Sequence, residues 1–114
     1  MSSTTSSALP SAEILEQLYH TVAQRKNAPA SESYSAALLA EAPEKPVRKL
    51  AEETTEVVIE ALKSDTEALC RESADLLYHL MVVWVAAGLT PEQVWQELVA
   101  RQHQSGLAEK AARK

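Results

Sequence analysis

The chain has 114 residues, enough for one domain and too few for two. A domain of this size buries only about 60 to 70 % of its unfolded surface, so its core is modest. A formal net charge of -5 excludes a protein that wraps nucleic acid, which needs a basic stripe to displace counterions from phosphates. Two glycines, no phenylalanine and 46 % apolar residues, mostly Ala, Leu and Val, point to an all-α fold, because strands favour aromatic and β-branched runs.

Residues 1–10 are rich in Ser and Thr and read as a loose, disordered tail, leaving residues 11–114 as a single helical domain. The start has neither the basic segment nor the apolar segment of a secretory signal. The first helix opens with Ser11 as N-cap and carries Ile14, Leu15, Leu18, Tyr19 and Val22 at three- and four-residue spacings. Arg25 and Lys26 close it, where they complement the helix dipole and can also reach towards an anion.

The stretch SESYSAALLA forms a short second helix capped by Ser31 or Ser33, and EAPEKP punctuates it. The third helix runs from about Pro46 to Lys63, with Val47, Leu50, Ala51, Thr54, Val57, Val58, Ala61 and Leu62 as its apolar stripe. Ser64 and Glu67 form a capping box that starts the fourth helix, so the two become an antiparallel hairpin, and Gly88 stops it. Thr90 as N-cap, Pro91 at the first helical position and Gln93 as capping partner open a fifth helix that ends near His103. The strongest apolar run, Leu76 to Ala87, is far short of the roughly 20 residues a membrane span needs. Cys70 has no partner for an internal disulfide and lies in an apolar run, so it reads as an inert buried thiol. A soluble, cytoplasmic protein with no membrane contact is expected.

The acidic residues decide what the chain does. On the third helix Glu52, Glu53, Glu56 and Glu60 project opposite the apolar stripe, and Lys49 and Lys63 stand close enough in sequence to pair with them. By itself that is a solvated face. The fourth helix differs, because Glu72 and Asp75 interrupt a run that is apolar on nearly every side, and ionised, unpaired carboxylates there are costly. Glu53 and Glu56 are three apart, as are Glu72 and Asp75, so the hairpin can bring two pairs together. Converging carboxylates repel unless a divalent cation neutralises them, and oxygen-only ligands suit Mg²⁺ or Mn²⁺. No Glu-x-x-His motif of a di-iron bundle is present. His79 follows Asp75 at four and reads as a core hydrogen-bonding residue, or one that orients Asp75. The sequence has no P-loop and no Cys/His zinc spacing.

EETTE (Glu52 to Glu56) and ESAD (Glu72 to Asp75) resemble the paired acidic motifs of the all-α, MazG-like nucleotide pyrophosphohydrolases. SYSAALL, KLAEETTEVVIEA, ESADLLYHLMV and SGLAEKAARK narrow the likeness to the phosphoribosyl-ATP pyrophosphatase branch of that superfamily, over roughly Ile14 to Arg113. The resemblance implies Mg²⁺-dependent hydrolysis of 1-(5-phosphoribosyl)-ATP to 1-(5-phosphoribosyl)-AMP and pyrophosphate, the second step of histidine biosynthesis. It further implies Glu53, Glu56, Glu72 and Asp75 as metal ligands, with Glu52 placed behind them or positioning the water. Lys49, Arg25, Ser33, Tyr34, Lys110 and Arg113 are weaker candidates for substrate contacts. Ala51 and Pro46 depart from the usual family pattern, at the start of the third helix and away from the ligands.

An all-round apolar fourth helix needs more cover than one small chain supplies, so a homodimer is expected, with Leu77, Leu80, Met81, Trp84 and Val85 in a core shared between subunits; the alternative is burial within one subunit. Two other functions remain open: a MazG-like enzyme acting on other nucleoside triphosphates, and a non-catalytic helical dimerisation module.

Overall fold

In the computed structural model, residues 10–102 are described. All but the last residue of the expected loose tail over residues 1–10, the expected helix end near His103, and Lys110 and Arg113 lie outside them. Five α-helices follow one another: α1 (Glu13–Gln24), α2 (Tyr34–Ala40), α3 (Glu44–Leu62), α4 (Thr66–Ala87) and α5 (Pro91–Arg101). A 3-10 turn at Ala30–Glu32 precedes α2, and no strand occurs among the described residues. The fold class is all-α, as composition indicated.

Local chemistry sets most helix ends. The extended backbone of Ser33 lets its hydroxyl accept from the Ala36 N–H at 3.0 Å, so Ser33, not Ser31, caps α2. The full capping box of Thr90 and Gln93 opens α5 with Pro91 at its first position. Gly88 ends α4 at φ 75°, and the Leu89 N–H reaches back to the Trp84 carbonyl at 2.9 Å, a turn that closes through a left-handed residue.

Three boundaries differ from expectation. At α1 the N-cap position falls on Ala12, although the Ser11 hydroxyl still accepts from the Glu13 N–H at 3.2 Å. The third helix begins at Glu44, two residues earlier than Pro46. Pro46 sits buried in its first turn, where a missing N–H leaves no intrahelical bond unmade. At α4 the cap is Asp65, whose side chain accepts from the Ala68 N–H at 3.0 Å; Ser64 has φ 60° and forms the turn itself, so it cannot hold the extended conformation a cap requires.

The core is built by α1, α2 and α4. Val22, Leu38, Val82 and Val85 are buried together, with Leu18, Tyr19, Ala23, Leu39 and Tyr78 packed around them. Met81 and Val85 are therefore covered within one chain, which corrects their assignment to a core shared between subunits; Leu77 stays 39 % exposed, and Leu80 and Trp84 are half-buried. Cys70 is exposed, contrary to the buried reading, because among the described residues nothing packs over its side of α4. The Trp95 ring anchors α5 by meeting Trp84 edge-on at 6.0 Å and donating from Nε1 to Glu16 at 2.6 Å. Among the described residues, no single helix is long and apolar enough to cross a membrane.

α3 packs along α4 with an unexpected face. Pro46 is buried and Leu50, Glu53, Val57 and Glu60 are half-buried, whereas Val47 and Val58 are each 51 % exposed and Leu62 is 82 % exposed. At about 100° per residue these are two different sectors of the helix. The apolar stripe read from the sequence is thus split: Leu50 and Val57 turn inward, and its other six residues are exposed.

Candidate metal and nucleotide site

The turn at residues 63–65 folds α3 back on α4, and the inward sector of α3 carries Glu53 against the sector of α4 that carries Glu72 and Asp75. One carboxylate oxygen from each of Glu53, Glu72 and Asp75 lies within 4.8 Å of the others. Glu53 and Glu72 are half-buried and Asp75 is exposed, so the group opens to solvent on one side. Leu50 and Val57 flank Glu53 one turn either way, and Leu69 and Leu76 flank Glu72; all four are half-buried, so apolar packing holds acids of like charge together.

The electrostatic cost is visible at Glu72. Burial, and then the charges of Glu53, Asp75 and Glu56, push its carboxyl above the ordinary value, and a hydrogen bond shared with Glu53 adds to the shift. One proton held between two carboxyls relieves the repulsion, and a hard cation can take its place. Three oxygens at this spacing, open on one side, fit an ion such as Mg²⁺ that retains positions for water and phosphate.

Glu56 lies one turn beyond Glu53 and is exposed; it acts on Glu72 through its charge but stands outside the close trio. Glu52 is held by Lys49, whose Nζ donates to Glu52 Oε1 at 3.0 Å. Of the acids within its reach, Lys49 thus pairs with Glu52, three residues on. The Glu52 hydrogen bond raises the Lys49 pKa, with smaller contributions from the charges of Glu52, Tyr34 and Glu53.

Behind the acids stands an aromatic group. His79 is 6 % exposed, and its Nδ1–H donates to the Asp75 carbonyl at 3.0 Å, because a carbonyl only accepts. Its role as a core hydrogen-bonding residue is thus what the sequence indicated. Burial, and then the Lys49 charge, lower its pKa, so the ring is neutral, and Nε2 is buried without a partner. Tyr78 and Tyr34 complete the group, and the Tyr78 hydroxyl shares a hydrogen bond with Ser35 at 2.5 Å. Neither Ser35 nor Tyr78 stands out in the sequence, because each lies in an ordinary helical run with no acidic motif of its own.

The remaining candidates are scattered. Ser33 uses its hydroxyl oxygen as the α2 cap. Arg25 is exposed at the C-terminal end of α1 and makes no ion pair with the acids. A groove of about 710 Å³ lies elsewhere, between α1 and Trp95, and none of the candidate residues lines it.

Residues 15–102 match the sequence profile of a family described as phosphoribosyl-ATP pyrophosphohydrolase. A phosphoribosyl-ATP pyrophosphatase of Azospirillum brasilense is 51 % identical over 104 residues, covering 91 % of this chain and 94 % of that protein. One of Gluconobacter oxydans is 49 % identical over 100 residues, 88 % of this chain and 75 % of that protein. Another, of Rhodospirillum rubrum, is 46 % identical over 105 residues, 92 % and 90 % of the two chains.

Proposed function

Because the chain belongs to the phosphoribosyl-ATP pyrophosphohydrolase family and is a hydrolase, we propose that it cleaves 1-(5-phosphoribosyl)-ATP to 1-(5-phosphoribosyl)-AMP and pyrophosphate in histidine biosynthesis. Family membership sets aside the non-catalytic dimerisation module. The observation that carries the reading is the convergence of Glu53, Glu72 and Asp75 within 4.8 Å across the α3/α4 hairpin, in the two acidic motifs of the family.

In this reading Glu53, Glu72 and Asp75 hold Mg²⁺, with Glu56 joining from the next turn. The bound ion supplies charge neutralisation to the polyphosphate and a lowered pKa to the attacking water. Lys49 holds the Glu52 carboxylate at the edge of the trio, where that carboxylate orients the water in line with the leaving pyrophosphate. One water is added across the α,β-phosphoanhydride, and the bridging bond breaks.

We assign the working form to a homodimer in the cytoplasm. The support for assembly is the outward sector of α3, where Val47, Val58 and Leu62 are exposed, together with Leu98 and Val99 of α5 at 55 % and 58 % exposure. A run of large apolar side chains along one helix face is the pattern of an interaction surface.

Release of pyrophosphate from phosphoribosyl-ATP, ATP and dATP, each with Mg²⁺ or with a chelator, tests the assignment. The expected result is Mg²⁺-dependent turnover concentrated on phosphoribosyl-ATP and a fall of at least about a hundredfold in Glu53→Gln and Glu56→Gln. Preferred turnover of ATP or dATP assigns the chain to another MazG-like substrate, and unchanged turnover in Glu56→Gln removes that residue from the ligand set.

A further inference from the structure

Tyr34 presents an unusual combination of exposure and restraint. It is 54 % exposed, yet its ring is held by two aromatic neighbours. Tyr78 stacks against it at 6.2 Å with the planes 21° apart, and His79 meets it edge-on at 6.1 Å and 71°. Both braces are themselves anchored. The Tyr78 hydroxyl is tied to Ser35, the His79 ring packs on Tyr78 at 4.9 Å, and Nδ1–H of His79 is fixed on the Asp75 carbonyl.

This chain of contacts links the ring to the acid trio through one residue, His79. Lys49, paired with Glu52 at 3.0 Å, is a second group near both the ring and the acids. An exposed aromatic face therefore stands beside a group of acids that can hold a cation and a lysine that can meet phosphate. Holding such a face open in water serves no packing purpose, whereas a rigid, pre-oriented ring lowers the ordering cost of binding a flat ligand. A ligand joining a flat aromatic ring to a polyphosphate spans both features.

Resting on the nucleotide substrate proposed above, we infer that Tyr34 is the platform on which the purine ring of that nucleotide stacks, with Tyr78 and His79 as its braces. The ring contributes binding and does not touch the reacting phosphates. Because a stacked base is held equally in the bound substrate and in the transition state, the platform acts on KM and leaves kcat alone.

The test is titration calorimetry of the full chain in Mg²⁺, using the α,β-methylene analogue of 1-(5-phosphoribosyl)-ATP, which keeps the purine and resists cleavage, and inorganic tripolyphosphate, which has no base. Tyr34→Leu is expected to weaken the nucleotide about tenfold, the low part of the range for loss of one base stack. It should leave tripolyphosphate within about twofold, and Tyr34→Phe, which keeps the ring, should recover most of the loss. In turnover, Tyr34→Leu raises KM by a similar factor. Equal losses on both ligands, an unchanged nucleotide affinity, or a loss of dimer in place of a loss of affinity overturns the platform. If the parent chain itself binds neither ligand, the nucleotide reading fails first and takes the platform with it; if the parent binds the nucleotide and Tyr34→Leu does not differ, only the platform fails.

Discussion

A divalent cation that binds the acid trio should stabilise this fold, and the size of the effect follows from the geometry of the trio. The three carboxylates meet only when α3 lies on α4, so the unfolded chain has no comparable site, and any ion that binds the trio stabilises the native state by mass action. At a hundred times its dissociation constant that stabilisation is about 2.7 kcal/mol. The entropy of unfolding is roughly 2.1 cal/mol/K per residue, or about 0.2 kcal/mol/K for the roughly 90 residues described. The melting temperature should therefore rise by roughly 10 to 15 °C. Differential scanning fluorimetry at pH 7 and fixed protein concentration measures it, with Na⁺ at matched ionic strength as the control. In Glu53→Gln the Mg²⁺ shift should shrink to that of Na⁺. Glu72→Gln adds a test of sign. The Glu72 carboxyl is raised in the folded state, so its protonated form favours folding, and that contribution is fully present below the ordinary value of 4.5 and is lost as pH climbs through the raised one. Glutamine mimics the protonated carboxyl at every pH. The metal-free variant should then melt above the parent at pH 7, with the advantage disappearing below pH 4.5. A Mg²⁺ shift no larger than that of Na⁺, or a metal-free Glu72→Gln that melts below the parent at pH 7, refutes the reasoning.

Two further outcomes test the packing. Leu38→Ala empties a fully buried position, 0 % exposed, between α1, α2 and α4; it should cost about 2 to 5 kcal/mol in guanidinium unfolding, and a loss under about 1 kcal/mol would show that the site collapses or is not core. Val58→Asp with Leu62→Asp charges the outward sector of α3, and light scattering behind size-exclusion chromatography should find the parent chain as a dimer and this variant as a monomer at micromolar concentration. A parent chain that is already monomeric removes the homodimer.

Where a feature depends on near neighbours in the chain, the residues made it legible. The start of α5 needs only Thr90, Pro91 and Gln93, and it forms as their chemistry requires. The trio was legible for the same reason, since Glu53, Glu72 and Asp75 are set by helical spacing and one tight turn. Glu56 falls outside it because it lies on the exposed side of α3, whereas Glu53 is half-buried. Lys49 has acids at three and four residues, and spacing alone does not choose between Glu52 and Glu53; Glu53 is committed to the trio, so Lys49 takes Glu52. The start of α4 offered two neighbouring cap residues, and backbone conformation, with Ser64 at φ 60°, selected Asp65. The exposed Cys70 and the split stripe of α3 depend on which surfaces meet, and periodicity reports that a helix has an apolar face without saying what covers it.

The split of α3 bears directly on the site. Had Val47, Val58 and Leu62 been the residues packed on α4, rotation of the helix would have carried Glu53 away from Glu72 and left the acids as the solvated face their pattern first suggested. Instead the helix turns its mixed sector inward. Leu50 and Val57 supply enough apolar contact on either side of Glu53 to hold α3 in place, and the same contact forces carboxylates into one another's field, as the raised Glu72 carboxyl records. Such an arrangement is unfavourable for a metal-free chain and favourable for one that binds a hard cation, because the repulsion to be overcome has already been met by packing and no further reorganisation is needed when the ion arrives. The apolar residues displaced to the outer sector are then free to cover a second copy. On the proposed reading one helix would serve two surfaces at once, with the acids on the side where position matters most and the larger aliphatic residues on the side where only area and fit do.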